Sequence, residues 1–124
     1  MKIAVDAMGG DNAPQSVVEG VEKARDAFED MEFVLFGKID EVKPLMKDQT
    51  RISFEQADEV IVMNDEPVKA IRRKKQSSLV LAAKAVKEGQ ADALFSCGNT
   101  GALLAAGLYR YQYVSDALGG QRRG

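Results

Sequence analysis

Apolar and polar positions alternate along the chain in blocks that switch between the strand period and the helix period. The apolar run 3–5 ends at once in a polar, glycine-rich stretch, which is typical of a strand buried on both faces. Asn12 or Asp11 is then placed to cap a helix that has Pro14 in its first turn. The apolar stripe of this helix consists of Val17, Val18, Val21, Ala24 and Phe28.

The middle of the chain predicts two further strands. They are the apolar runs 33–36 and 52–54, and a short helix is expected between them around 39–46, where Pro44 interrupts the pattern. The apolar segment 60–63 is too short to assign, and a strand or a helix fits it equally well.

A helix start signal stands at 64–67, where a capping residue and early acidic charge precede a proline. We expect this helix to carry Val68 and Ile71 inward. It should end near the basic run 72–75, because cations suit the C-terminal end of a helix.

The next helix is expected at 79–88, with Ser77 or Ser78 as its cap and Gly89 as its end. Its first five residues are all apolar, which predicts deep burial. After a strand at 93–96, the turn "GNTG" leads into an apolar helix that begins at Ala102.

Alternating strands and helices predict an α/β fold with a mostly parallel sheet that is covered on both faces. In such sheets the strand-to-helix turns lie along one edge, where ligands bind. The turns "GGDNAP" at 9–14 and "GNTG" at 98–101 should therefore meet there, and "RRKKQSS" at 72–78 also precedes a helix start. Helix N-terminal amides and glycines favour an anion, so we expect a phosphate-bearing ligand. The glycine spacing matches neither a dinucleotide nor a P-loop pattern.

Composition narrows the possible chemistry. The 124 residues, 45% hydrophobic and 29% charged, suit one globular domain, and the net charge of −2 gives no reason to expect nucleic-acid binding. The sequence contains no histidine, which excludes histidine triads and histidine metal sites.

The single Cys97 forms no internal disulfide, which fits a reducing cytoplasm. No signal peptide pattern opens the chain, and the longest apolar run, 102–109, is far shorter than the roughly 18 residues of a membrane span.

Three long strings carry a family resemblance. "DAMGGDNAP" at 6–14, "PVKAIRRKKQSS" at 67–78 and "SCGNTGALLAAGL" at 96–108 resemble the bacterial phosphate acyltransferases of phospholipid synthesis, the PlsX type. The resemblance makes residues 1–108 the N-terminal α/β part of a much longer enzyme. The tail 109–124 does not resemble the family's continuation, and its abrupt change predicts truncation or a shifted reading frame.

The resemblance implies a three-layer fold similar to that of phosphotransacetylases and isopropylmalate dehydrogenases. It implies a homodimer that transfers an acyl group from acyl–acyl carrier protein to inorganic phosphate and so forms an acyl phosphate. It further implies a cytoplasmic protein attached peripherally to the membrane, with no metal and no organic cofactor.

On the same resemblance, the phosphate pocket is lined by Gly9, Gly10, Gly98, Asn99, Thr100 and Gly101. Phosphate is itself the nucleophile, so amides that hold the dianion and stabilise an oxyanion suffice, and Asn99 and Thr100 add side-chain donors. Asp6 and Asp11 are candidates to position a donor or to accept a proton from phosphate. Helix capping and turn formation explain Asp11 equally well.

The basic run 72–75 has three interpretations. It is a solvated helix end, or Arg73 and Lys74 contact phosphate, or the run meets the acidic surface of acyl carrier protein. Ser77 and Ser78 are further phosphate candidates, because a capped helix start follows them.

Cys97, where the family usually has alanine, is either an acyl-accepting nucleophile or a small apolar filler at the end of a buried strand. The absence of an activating histidine favours the filler. Two rival functions remain beside the acyltransferase. One is a phosphotransacetylase-like enzyme that uses coenzyme A, and the other is an inactive, truncated anion-binding domain.

Overall fold

The computed structural model describes residues 1–62, 64–98 and 102. Within these residues, strands and helices alternate as the sequence predicts. The elements in chain order are β1 (Lys2–Asp6), α1 (Gln15–Ala27), β2 (Glu32–Gly37), α2 (Ile39–Val42), a 3-10 helix (Lys43–Leu45), β3 (Ile52–Gln56), α3 (Pro67–Arg73), α4 (Ser78–Lys87) and β4 (Ala93–Phe95).

The described strands form one parallel sheet in the order β3-β2-β1-β4. The first strand of the chain thus lies inside the sheet, where Val5 is in register with Leu35 on one side and Phe95 on the other. The chain builds outward through β2 and β3 and then returns to the opposite side of β1. This reversal makes the gap between β1 and β4 a topological switch point, where open α/β sheets bind ligands.

Helices pack on both faces of the sheet, as expected for an α/β fold. Ile3 and Val5 of β1 face the apolar stripe of α1, whereas Ala4 between them packs with Ala82 and Ala85 of α4. Successive side chains of a strand point to opposite faces, so β1 is buried on both of them. The prediction of a two-sided buried first strand is confirmed.

The start and end of α1 differ from the predictions. The helix begins at Gln15, and neither Asp11 nor Asn12 caps it with a side chain. The turn before the helix is instead closed by the main chain, where the Asn12 carbonyl accepts a hydrogen bond from the Ser16 amide at 3.0 Å. Phe28 follows the last helical residue with an extended backbone and is 55% exposed, so its predicted place on the apolar stripe is wrong.

The predicted short helix around 39–46 is confirmed as α2 followed by the 3-10 helix that contains Pro44. In α3 the Glu66 side chain accepts a hydrogen bond from the Lys69 amide at 2.7 Å and caps the helix. The inward prediction for Val68 is wrong, since its side chain is 47% exposed. Ala70 is the buried residue of this two-turn helix, and it packs beside Ile71 in a small apolar cluster.

The predicted α4 is confirmed with small shifts of its ends. Ser77 is the capping residue, because its hydroxyl accepts a hydrogen bond from the Val80 amide at 3.2 Å. Gly89 follows the helix with a φ of +78°, a conformation that favours glycine. The predicted strand 93–96 ends one residue early, and the helix predicted from Ala102 lies outside the described residues except for Ala102 itself, which is buried.

The segment 60–62 forms neither a regular strand nor a helix, and Met63 lies outside the described residues. In the part of the chain that the structure describes, no helix is both long enough and apolar enough to cross a membrane.

Candidate functional site

Three segments meet at the carboxyl edge of the sheet, beside the switch point. β1 ends there at Asp6, β4 ends one residue before Ser96, and the first turn of α4 brings Ser78. The predicted meeting of the two glycine turns at this edge is confirmed as far as Gly98.

The Asp6 side chain connects these segments. It is only 3% exposed, and its Oδ1 atom accepts hydrogen bonds from the Ser78 hydroxyl and, at 3.2 Å, from the Met8 amide. Its Oδ2 atom accepts from the Ser96 hydroxyl at 2.8 Å. A buried carboxylate is costly unless donors surround it, and here two hydroxyls and one amide supply them. We call Asp6, Ser78 and Ser96 the carboxylate cluster.

The glycines next to this cluster bring two main chains into contact. A Cβ atom at Gly9 would lie 2.6 Å from Asp6 Oδ2 and 3.0 Å from the Gly98 Cα atom. A Cβ atom at Gly98 would in turn lie 3.1 Å from the Gly9 Cα atom. Both positions therefore exclude any side chain, because the two turns pack backbone against backbone.

Gly10 has a different reason to be glycine. Its φ of +104° lies in a region that residues with a Cβ rarely adopt, and an added Cβ would lie 3.2 Å from the Cys97 carbonyl oxygen. The adjacent glycines of "DAMGGDNAP" thus serve two needs, a close approach at the first and a turn conformation at the second.

Three consecutive amides of the first turn have no partner within the described part of the chain. The N–H groups of Gly9, Gly10 and Asp11 donate to no acceptor there; Gly9 is buried, Gly10 is half-buried and Asp11 is exposed. Buried amides are nearly always paired, so the Gly9 amide needs an acceptor that the described residues do not supply. The Gly98 amide is not available in this way, because it donates to the Ser96 hydroxyl at 3.1 Å.

Comparison with known proteins gives this arrangement a context. A family model described as fatty acid synthesis protein matches residues 1–116, which is most of the chain. The chain belongs to this family. Its resemblance to the phosphate acyltransferases, drawn from three strings, is thereby confirmed.

Several relatives in the fatty acid synthesis protein family are named phosphate acyltransferase. The protein from Limosilactobacillus fermentum is 69% identical over 109 residues, which are 88% of this chain and 32% of that protein. The proteins from Levilactobacillus brevis and Ligilactobacillus salivarius are 67% and 70% identical over similar stretches. The chain spans about a third of the length of these curated relatives.

The other predicted site residues lie apart from the carboxylate cluster or have other partners. Ser77 is fully buried, but its hydroxyl caps α4. The Lys74 ammonium group donates to the Asp65 carboxylate at 2.7 Å and to the Val60 carbonyl at 2.9 Å. Arg73 is exposed at the end of α3 and bonds to no residue that the structure describes. Their contact with phosphate stays a prediction.

The hydrogen bond from Lys74 lowers the pKa of the Asp65 carboxyl below its ordinary value, and a second bond from the Val62 amide adds to this effect. The pair ties the end of α3 to the segment that precedes it. Lys74 therefore has a structural role in any case.

Three predicted residues, Asn99, Thr100 and Gly101, lie outside the described residues, and so does the tail 109–124. Asp11 is exposed in the first turn. Cys97 is exposed as well, so its interpretation as a buried filler is wrong. The reason is that β4 ends at Phe95, which leaves Cys97 in the turn beside Gly10 rather than in the sheet.

Ser96 is the member of the carboxylate cluster that sequence reasoning missed. The register of β1 with β4 contained the signal, because Val5 pairs with Phe95 and the next residues are Asp6 and Ser96. Two polar residues that follow paired apolar positions on adjacent parallel strands are placed side by side. Among the described residues, no group of three or more potential ligands could hold a metal ion.

Proposed function

We propose that this chain is the phosphate-binding part of a phosphate acyltransferase that transfers a fatty acyl group from acyl–acyl carrier protein to inorganic phosphate. The product is an acyl phosphate for phospholipid synthesis. We further propose that the enzyme has a fold similar to that of phosphotransacetylases and isopropylmalate dehydrogenases. On this proposal it is a homodimer that lies in the cytoplasm and attaches peripherally to the membrane.

The observation that carries the proposal is the row of free amides at the switch point. Gly9, Gly10 and Asp11 present three consecutive N–H groups without an acceptor among the described residues, beside Gly98, the first residue of the second glycine turn. Consecutive main-chain amides in a turn form a concave donor surface that suits an anion. The relatives are named phosphate acyltransferase, which indicates that the bound anion is phosphate, the acceptor of the acyl group.

The chemistry requires little beyond this surface. A phosphate oxygen attacks the thioester carbonyl, a C–O bond forms, and the C–S bond breaks to release the carrier thiol, which takes up one proton. The protein must hold the phosphate next to the carbonyl and stabilise the oxyanion of the tetrahedral intermediate. On this proposal the free amides hold the phosphate, and Asn99 and Thr100 add side-chain donors.

A second candidate function is favoured by one observation. The chain spans about a third of the length of its curated relatives, so groups that bind the acyl carrier are expected to lie in the remaining two thirds. On this alternative the chain binds phosphate but transfers no acyl group.

One experiment separates these functions. Acyl phosphate formation is measured with acyl–acyl carrier protein and with acyl–coenzyme A, for this chain and for a fusion of it to the missing part of the Limosilactobacillus fermentum enzyme. Activity of the fusion with the carrier protein supports the proposal. Activity with coenzyme A alone favours the phosphotransacetylase-like rival. An active fusion beside an inactive chain identifies the chain as a binding part.

Phosphate binding is measured separately, by ¹⁵N NMR titration of the chain with inorganic phosphate. The proposal expects the amide signals of Gly9, Gly10 and Asp11 to shift together. Absence of any shift at these amides would refute the site.

A further inference from the structure

We infer that Ser96 is a positioning residue that holds the two glycine turns in contact and thereby places the free amides of the first turn. The inference rests on the proposed phosphate site for its functional consequence. Ser96 itself is not a phosphate ligand on this account.

The direction of the hydrogen bonds at Ser96 is fixed by its two partners. The Asp6 carboxylate can only accept, so the Ser96 hydroxyl donates its proton to Oδ2 across 2.8 Å. The Gly98 amide can only donate, so it uses a lone pair of the same oxygen across 3.1 Å. One hydroxyl therefore links a buried carboxylate to the turn that follows β4.

This link reaches the free amides through the glycine contact. Gly98 lies against Gly9 so closely that a Cβ on either residue would approach the Cα of the other to about 3 Å. Gly9 carries the first of the three free amides. Since Asp6 holds Ser96, Ser96 holds Gly98 and Gly98 abuts Gly9, loss of the Ser96 hydroxyl leaves the position of Gly9 less restricted.

Ser78 provides a comparison within the cluster. Its hydroxyl donates to the other oxygen of the same carboxylate, Oδ1, and it has no bond to Gly98. Removal of the Ser78 hydroxyl should therefore perturb Asp6 without releasing the Gly98 amide. Ser96 differs from Ser78 in this one connection.

The test uses this chain labelled with ¹⁵N, in the variants Ser96→Ala, Ser96→Thr, Glu66→Ala and Ser53→Ala. The first readout is amide hydrogen exchange at Gly98, which does not depend on phosphate. We expect Ser96→Ala to exchange about tenfold faster at Gly98, the size of one lost hydrogen bond. Ser96→Thr keeps the hydroxyl and should restore protection. Unchanged exchange in Ser96→Ala would overturn the inference.

The second readout is the affinity for inorganic phosphate. Glu66→Ala removes the side-chain cap of α3 and so lowers stability without touching Asp6, whereas Ser53→Ala alters an exposed serine on β3. We expect Ser96→Ala to weaken phosphate binding about tenfold, a larger loss than either control shows. An equal loss in Glu66→Ala would assign Ser96 a purely structural role and overturn the inference.

The two proposals fail in distinguishable ways. If the parent chain does not bind phosphate, the proposed function fails, while exchange at Gly98 and the chemical shift of the Gly9 amide still decide whether Ser96 sets the turn. If Ser96→Ala unfolds, Ser96→Cys replaces it, because a thiol keeps a similar volume and weakens both hydrogen bonds. The same order of exchange and affinity is then expected.

Discussion

The buried charged groups at the two edges of the sheet have different kinds of hydrogen-bond partners. At the amino edge, Arg25 is only 4% exposed, and its guanidinium group donates to the carbonyls of Asp48 and Thr50 in the loop before β3. Arg51 in turn donates to three carbonyls around the end of α1, that of Arg25 among them. Arg25 thus binds main-chain oxygens of the loop before β3, and Arg51 binds those of α1 and of the loop that follows it.

At the carboxyl edge the buried charge is the Asp6 carboxylate, and its partners are mainly hydroxyls. The main-chain amides of 9–11 at this edge are donors without an acceptor among the residues that the structure describes. The arginines thus close loops onto the core, whereas the carboxylate cluster places unused donors near the surface. On the proposed function, phosphate binding depends on the carboxyl edge, so a change at the amino edge should lower stability without changing phosphate affinity.

The largest effect is expected from Arg25→Ala. The substitution removes the donors of two loop carbonyls together with the packing of a buried side chain, so we expect a loss of about 3 kcal/mol in the free energy of unfolding. Urea denaturation measures it, with the exposed Lys23→Ala of the same helix as control. The affinity of the folded variant for phosphate should not change. A loss of affinity in parallel with the loss of stability would show that phosphate binding also depends on the amino edge.

Gly9→Ala should destabilise the chain by about 2 kcal/mol, because the new methyl group would overlap the Asp6 carboxylate and the Gly98 main chain. Unlike Arg25→Ala, it should also abolish the shift of the amide signals with phosphate. Gly20→Ala is the matched control, since Gly20 lies in α1 with no atom within 4 Å of an added Cβ. In this helix the control should gain about 1 kcal/mol. Phosphate binding by Gly9→Ala as strong as the parent's would contradict the site.

Ser78→Ala should cost about 1.5 kcal/mol, because it removes a hydroxyl that is 1% exposed and donates to a carboxylate. Ser77→Ala is its neighbour and should cost about 1 kcal/mol through the lost cap. The thermal unfolding temperature of both variants is measured with and without phosphate. We expect Ser78→Ala to lose part of the stabilisation that phosphate gives. No loss in either variant would place both serines outside the site, and a loss in Ser77→Ala would support the prediction that Ser77 contacts phosphate.

The smallest effect concerns the ion pair between Lys74 and Asp65. The pKa of Asp65 is lowered in the folded chain, chiefly by the hydrogen bond from Lys74, so the pair stabilises the fold above the ordinary pKa of 3.8. That contribution is lost as the pH falls through the lowered value. Asp65→Asn should therefore flatten the acid limb of the stability curve slightly, as measured by urea midpoints between about pH 2 and pH 5.

Lys74→Met tests the competing role of the same residue. If Lys74 serves only Asp65 and the Val60 carbonyl, phosphate affinity is unchanged at neutral pH. A weaker affinity for phosphate would instead support the prediction that Lys74 is a ligand.

Much of the fold follows from local sequence patterns. The apolar runs of β1, β2 and β3 and the capped apolar start of α4 were predictable, because burial of these elements agrees with their periodicity. The start of α1 was not, since a main-chain hydrogen bond from the Ser16 amide to the Asn12 carbonyl replaces the side-chain cap that the sequence offers. Val68 was assigned inward from spacing alone, whereas the place of α3 against its neighbours is decided by tertiary contacts.

The candidate site was predictable at the level of its edge but not of its bonds. The rule that parallel strands end at one edge brought the two glycine turns together. It could not show that the main chains of Gly9 and Gly98 come into contact, or that the Ser96 hydroxyl donates to Asp6. These two contacts join residues about 90 positions apart in the chain.

The central position of β1 has a consequence for the order of folding. β1 can pair with β2, and β2 with β3, as soon as these strands follow, but the two hydroxyl partners of Asp6 lie 72 and 90 residues further along the chain. Contacts of such long sequence separation form late, because the closure of the intervening loop must come first. In a nascent chain the Met8 amide is therefore the one local donor to the Asp6 carboxylate among its described partners until α4 brings Ser78, and the docking of β4 then completes the carboxylate cluster.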